Sequence, residues 1–240
     1  MFRLAIIGYG KMGKLVEKLA KQQGIEVCAL IDPIFNNSIN KETLNNADIA
    51  VEFSVPEAAI SNYKKLFECG INVVTGTTGW YEYLDEVVAE CEKWNRGLFY
   101  ASNFSIGMNI TFLLNKQLAK MTRNLENYQV QLSETHHVKK LDKPSGTAIT
   151  LANGIIENSK QYSHWELDSN TKSKGTIPIT AKREGEVIGF HSVEYRSSVD
   201  RIQIEHEAFS REGFAIGALE ACKYMNHKTG VHTMENLLAF

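Results

Sequence analysis

The hexapeptide Gly8-Tyr9-Gly10-Lys11-Met12-Gly13 constrains this chain more than any other stretch. It follows Arg3–Ile7, an apolar run that reads as a strand, and leads into Met12, Leu15, Val16 and Leu19 at helical spacing. In the order strand, G-x-G-x-x-G, helix, each glycine has its own task. The first allows a tight turn, the second lets the backbone approach a pyrophosphate, and the third lets helix and strand pack closely. The anion would rest on the free N–H groups and positive dipole end of the helix. Asp32 ends the next strand pattern, Glu26–Ile31, about 20 residues past the loop, where an acid can take the ribose hydroxyls of an adenosine. Gly8, Tyr9, Gly10, Lys11, Met12, Gly13 and Asp32 are therefore candidate cofactor-binding residues.

Strand patterns at 48–54, 71–75 and 98–102 alternate with helical ones at 56–69 and 81–94. Strands separated by helices imply right-handed crossovers and a mainly parallel sheet. Such sheets bind ligands at the C-terminal ends of their strands, which adds Gly76, Thr77 and Thr78, and Ala101, Ser102, Asn103 and Phe104. Turn preference alone would also place small and hydroxyl residues there.

The pattern changes after about residue 105. A helix is expected over 106–121, a half-buried strand over 128–134, and a second helix from Pro144-Ser145 to about 156. Residues 158–176 read as polar and loop-rich, 187–195 and 201–207 as alternating strands, and 211–225 as a helix. The expected fold class is α/β. A Rossmann-type dinucleotide-binding domain spans 1–106 and is completed by 213–240. A second α/β domain, 107–212, is expected to carry a mixed sheet and to serve as the substrate domain.

Charge narrows the partners. Lys and Arg total 26 against 28 Asp and Glu, a net charge of −2, so no bulk positive charge exists to hold nucleic acid or an anionic membrane. Any anion site must be local. The apolar run before Gly8 is too short for a secretory signal or a membrane span. Cys28, Cys69, Cys91 and Cys222 lie far apart without C-x-x-C spacing, as buried free thiols of a cytoplasmic protein would.

The most informative stretch runs from Glu134 to Ala148, E-T-H-H-V-K-K-L-D-K-P-S-G-T-A. Adjacent histidines on an extended backbone point to opposite faces, and no third ligand stands at metal-site spacing, so no metal is expected. Imidazoles, lysines and a helix start together suit a small dianionic substrate. An exposed basic loop before a capped helix would carry the same residue types. His191 and His206 read as structural hydrogen-bonding residues, and His227 and His232 as surface or packing residues.

This stretch resembles the 4-hydroxy-tetrahydrodipicolinate (dihydrodipicolinate) reductase family, whose pattern is a paired His, a Lys four residues after the first, and D-x-P-S-G-T. The resemblance extends to V-E-F-S-V-P-E at 51–57, G-T-T-G at 76–79, A-S-N-F-S-I-G-M-N at 101–109, G-E-V-I-G-F-H-S-V at 185–193 and the run at 206–219. It implies NADH- or NADPH-dependent reduction of a small dicarboxylate cyclic imine in diaminopimelate and lysine biosynthesis. His136 would be proton donor and acceptor and Lys140 the general acid. His137, Ser145, Gly146 and Thr147 would hold the substrate carboxylates. The second domain would also build a homotetramer through its sheet. Pro33 stands where NADPH-using relatives often have Arg, so a mild NADH preference is expected, with Lys11 partly offsetting Asp32. A dehydrogenase of the aspartate dehydrogenase type would share the glycine loop without the His-His and D-x-P-S-G-T pair. A non-catalytic dinucleotide sensor would need neither His136 nor Lys140.

Overall fold

Strand β1 (Arg3–Ile7) sends Leu4 and Ile6 into one apolar core and Ala5 and Ile7 into another. A strand buried on both faces belongs to a parallel sheet covered by helices. The computed structural model describes residues 2–168 and 174–238 and contains that sheet. After β1 come α1 (Lys11–Gln22), β2 (Glu26–Ile31), β3 (Ile49–Glu52), α2 (Pro56–Glu68), β4 (Asn72–Thr75), α3 (Leu84–Lys93) and β5 (Gly97–Tyr100). The chain continues through α4 (Ile106–Thr122), β6 (Gln129–His136), α5 (Gly146–Ile156), β7 (His164–Leu167), β8 (Thr176–Arg183), β9 (Gly189–Arg196) and β10 (Arg201–Ala208). It closes with α6 (Glu212–Met225), β11 (Gly230–His232) and α7 (Met234–Leu237). Two compact units result: the chain up to Ile106 together with that from Glu212 onward, and Gly107–Arg211.

The first unit is a six-stranded parallel sheet of order β11-β5-β4-β3-β1-β2. Chain direction across the sheet reverses between β1 and β3, the switch point at which open α/β sheets form ligand crevices. One face is covered by α1 and α6, the other by α2 and α3. Helix α1 buries Gly13, Val16, Leu19 and Ala20 along one stripe. Helix α2 starts with Pro56 at its first turn, where the missing N–H costs nothing, and ends before Gly70 at φ +87°.

The second unit has a five-stranded mixed sheet of order β10-β9-β6-β8-β7. Its β10–β9–β6 pairs are antiparallel and its β6–β8–β7 pairs parallel. One core joins Val130, Leu132, Ile177, Ile179 and Val193 to Leu151 and Ile155 of α5. The α/β class and the mixed second sheet agree with the sequence reading.

Three strands depart from it. Strand β7 lies inside the stretch expected to be loop-rich, because His164-Trp165-Glu166-Leu167 gains its hydrogen bonds at the sheet edge from β8 rather than from its own pattern. Strand β8 had no expectation at all. Strand β11 is three residues long, too short to show a period, and exists by pairing with β5. Strand β6 runs on to His136, two residues beyond the expected end. All four cysteines are free; Cys91 and Cys222 are buried, whereas Cys28 and Cys69 are only half-buried.

Candidate active site

The three glycines of the first loop differ physically. Gly8 has φ +86°, and a Cβ there would sit 2.2 Å from the Phe53 carbonyl oxygen. A Cβ on Gly13 would sit 2.1 Å from the Gly8 oxygen, so α1 packs directly on the turn. A Cβ on Gly10 would meet nothing within 4 Å. Gly10 is also the N-cap of α1, with extended backbone, no side-chain cap among the described residues and no acid in the first turn. Helical N–H groups without partners that face open space form an anion site, and a pyrophosphate fits there.

Asp32 anchors this loop. Its Oδ2 accepts the Tyr9 N–H at 2.7 Å and its Oδ1 the Ile34 N–H at 3.0 Å. Lys11 is exposed and Met12 packs partly on the core. On the neighbouring loops, a Cβ on Gly76 would strike the Phe53 ring at 2.1 Å. The Thr77 hydroxyl accepts the Ser54 N–H at 2.9 Å, and Thr78 is exposed. Ala101 is half-buried, Ser102 exposed, and the Asn103 Oδ1 accepts the Ser105 N–H at 2.9 Å. The Phe104 ring is buried against Phe53 and Phe99, so it serves the core. Every one of these residues lies at the C-terminal edge of the sheet. Sequence reasoning missed Phe53, which shapes both glycine turns, and the buried Glu52, which accepts the Thr75 hydroxyl at 2.8 Å. The available signal was an acid closing an otherwise apolar strand, V-E-F-S.

In the second unit, period-two alternation along β6 puts Val130, Leu132, Glu134 and His136 on the buried face. Sheet register sets His191 of β9 opposite Glu134, His206 of β10 opposite His191, and Arg183 of β8 beside His136. Glu134 is wholly buried; its Oε1 accepts from both Arg183 Nη atoms at 3.2 Å, and its carboxylate takes the Ser145 N–H at 3.1 Å. Its Oε2 lies 3.5 Å from His136 Nδ1 and 3.7 Å from His191 Nε2, beyond good hydrogen-bond geometry. The Nδ1 atoms of His136, His137, His191 and His206 have no hydrogen-bond partner among the described residues. The structural hydrogen bonding expected of His191 is thus limited to Nε2, 3.3 Å from the Ser145 hydroxyl, and His206 Nδ1 makes none. Burial holds the His206 imidazole below its ordinary pKa.

Burial, with the charges of Lys140 and Arg183, holds the His136 imidazole below its ordinary pKa against the pull of Glu134. His191 is pushed down to about 3, first by burial and then by His136 and His206. The unfolded chain takes up a proton on this residue below about pH 6.5 that the folded chain refuses until about pH 3. Stability contributed by His191 is therefore complete above that window and falls as pH drops through it, by up to about 5 kcal/mol. Denaturant unfolding from pH 7 to 4 should show this slope, and His191→Asn should flatten it; equal slopes in both proteins would exclude His191 as the cause.

Lys140 follows β6 on a loop, with its ammonium 2.8 Å from Asp142 Oδ1. Burial works to raise the Asp142 carboxyl, but the Lys140 bond and charge, with Arg183, outweigh it and leave the acid below its ordinary pKa. Ser145 caps α5, its hydroxyl accepting the Ala148 N–H at 3.2 Å. Gly146 is exposed, and a Cβ there would meet nothing within 4 Å. Thr147 and His137 are half-buried, with His137 Nε2 3.5 Å from an Arg211 nitrogen. The unit thus gathers His136, Lys140, His137 and an open helix start. Glu134, His136 and His191 also present ligand atoms within 4.8 Å of one another, a grouping that two adjacent histidines do not suggest by themselves. Arg183 already supplies the cation for that carboxylate, and a second would be repelled.

Fold and site together define an α/β dinucleotide-binding protein whose second unit carries a compact set of imidazoles and cations. Family models described as dihydrodipicolinate reductase, N-terminus and C-terminus, match residues 2–104 and 107–238. The chain belongs to the dihydrodipicolinate reductase family. It is 44% identical over 237 residues to the 4-hydroxy-tetrahydrodipicolinate reductase of Christiangramia forsetii, covering 98% of this chain and 97% of that one. Its fold is similar to that of a dipicolinate-bound dihydrodipicolinate reductase from Paenisporosarcina sp. TG-14, with TM-score 0.79, 23% identity, and 98% and 99% of the two chains covered. An aspartate dehydrogenase from Thermotoga maritima is less similar, with TM-score 0.54, 14% identity, and 95% and 98% covered.

Proposed function

We propose that the chain catalyses NAD(P)H-dependent reduction of 4-hydroxy-tetrahydrodipicolinate to tetrahydrodipicolinate in diaminopimelate and lysine biosynthesis. The observation that carries this reading is the neutral His136 and the cationic Lys140 beside an uncluttered helix start in one unit. The family relationship supports it. A dehydrogenase of the aspartate dehydrogenase type has less support, since its likeness is confined to the fold.

Gly8 to Gly13, Asp32, Gly76 to Thr78 and Ala101 to Asn103 would hold the cofactor, which when bound supplies the hydride, while Phe104 packs in the core behind them. Hydride addition to a conjugated imine drives negative charge onto the ring nitrogen, so a nearby cation and proton donor lower the barrier. Lys140 is that general acid. His136, held neutral near pH 7, accepts and returns a proton without a standing charge. His137, Ser145, Gly146 and Thr147 grip the two carboxylates with ring nitrogens, a hydroxyl and helix N-terminal amides. One hydride and one proton are added, and the 4-hydroxyl leaves as water. The test is loss of reduced-nicotinamide absorbance on adding the product of the preceding aldehyde–pyruvate condensation. Oxidation seen only with an amino-acid imine would favour the alternative.

Cofactor choice rests on Asp32. A carboxylate fixed at the end of β2 repels a 2′-phosphate and accepts the hydroxyls of NADH, while exposed Lys11 offsets part of the repulsion. The balance is about 1–2 kcal/mol, or about five- to thirtyfold before that offset. The expected outcome is use of both cofactors with a mild NADH preference in kcat/KM, moving toward NADPH in Asp32→Asn. A tenfold or greater preference for NADPH in the unaltered protein would show that a cation dominates Asp32.

A homotetramer built through the second sheet belongs to the same reading and is supported by β10, a largely exposed edge strand. Sedimentation velocity tests it. Free thiols support a cytoplasmic setting, and no helix among the described residues is long and apolar enough to cross a membrane.

A further inference from the structure

The segment between β6 and α5 carries Lys140 yet has no helix or strand of its own. Its backbone ties are sparse: Val138 N–H to the Gly185 oxygen at 3.2 Å and Lys140 N–H to the His137 oxygen at 3.1 Å. Lys143 Nζ adds an ion pair to Asp168 Oδ2 at 2.9 Å, and Arg183 binds the stretch around Lys140. Its Nε donates to the Lys140 carbonyl at 3.2 Å, an Nη donates to the Asp142 carbonyl, and both Nη atoms reach Glu134 Oε1 at 3.2 Å. Glu134 in turn takes the Ser145 N–H, the entry to α5, and places Oε2 3.5 Å from His136 Nδ1. We propose that Glu134 and Arg183 are the positioning residues of this site: one buried ion pair holds the Lys140 loop and the entry to α5 by hydrogen bonds and sets the charge beside the His136 ring.

The pair suits that task because of its chemistry. A guanidinium presents five N–H donors in a rigid fork, so it can meet a carboxylate and two carbonyls together; an ammonium cannot reach all three. Both partners are shielded from water, with side chains 16% and 0% exposed, so neither can lose the other without leaving a buried charge uncompensated. The pair also sets charge at the ring. Groups facing His136 are Glu134 on β6, Arg183 on β8, His191 on β9 with His206 behind it on β10, and Lys140 and Asp142 on the loop. Glu134 and Asp142 favour the imidazolium, while Arg183 and Lys140 oppose it.

Two measurements on the full chain separate positioning from simple loosening. The first is NMR titration of the His136 ring without substrate, assigned through His136→Asn. Arg183→Gln is expected to move the midpoint up and Glu134→Gln to move it down. General loosening would admit water in both variants and raise both midpoints toward the ordinary value, which would overturn the proposal. The second is steady-state kinetics of Arg183→Lys, which keeps the charge and loses the fork. We expect kcat/KM for the dicarboxylate imine to fall about 10²-fold, the scale of a misplacement of about 1 Å. NADH affinity, read by fluorescence titration, should stay at the unaltered value. Full kcat/KM in Arg183→Lys would also overturn the proposal, and this arm decides if Arg183→Gln does not fold. The kinetic arm rests on the reductase reading. Should the unaltered chain fail to turn over the imine, that reading falls, and the NMR titration still decides the role of the pair.

Discussion

Lys140→Ala is expected to lower kcat by about 10²–10⁴, the range for removing a positioned proton donor. NADH affinity should be essentially unchanged, because the glycine loop and Asp32 belong to the other unit. His136 is kept neutral near pH 7 by burial and by neighbouring cations, so it cannot supply standing positive charge. Arg183 is committed to Glu134 and to three carbonyls. Lys140 remains, on a flexible stem, with a side chain 24% exposed and, among the described residues, only Asp142 as its ion-pair partner. On the proposed reading, a dicarboxylate substrate would compete with Asp142 for the same ammonium. His136→Asn should lose rate on a similar scale, and the double variant should lose little more than either single one if the two act as a relay. Near-normal kcat in both single variants, measured at substrate saturation, would remove the acid–base assignment.

What could be read from the sequence divides along a physical line. The parallel sheet was legible because strands buried on both faces leave continuous apolar runs, such as Ile49 to Val51, and because helices between them carry a strong period. The glycine loop was legible because its three positions demand glycine for three separate reasons. Strands β7, β8 and β11 were not, since each is held by pairing with other strands that its own short segment does not specify. The same limit applies to the site. His136, Lys140 and Ser145 are local to one stretch and could be found there. Arg183 and His191 reach Glu134, and His206 reaches His191, only through the register of β8, β9 and β10. Glu134 itself carries a local signal: a carboxylate at the position where the alternation of β6 calls for an apolar residue. An acid on a core face needs a cation. That cation, Arg183, stands at the end of β8, a strand whose own residues give no sign of which neighbour it will pair with.

Substituting alanine in the glycine loop should produce opposite failures at two positions two residues apart. At Gly8 the new Cβ would fall 2.2 Å from a backbone oxygen at φ +86°. Left-handed strain alone costs about 1–3 kcal/mol, and the clash with a main-chain atom cannot be relieved by a rotamer change. A loss of about 3 kcal/mol or more would lower Tm by about 6–12 °C in a protein this size. Alanine at Gly13, 2.1 Å from the Gly8 oxygen, should behave the same way. At Gly10 the backbone is extended at φ −75° and the new methyl meets nothing within 4 Å, so Tm should not move. The methyl would instead occupy the space over the first turn of α1 where the pyrophosphate must come close. Losing one or more charge-assisted N–H contacts weakens binding by about 1.5–3 kcal/mol, or about tenfold to a hundredfold in NADH affinity. Thermal unfolding and fluorescence titration of the two variants check both halves. Wild-type NADH affinity in Gly10→Ala would mean that the phosphates approach elsewhere. Wild-type stability in Gly8→Ala would mean that the turn can rebuild around a side chain, and the demand for glycine there would then have to come from the ligand.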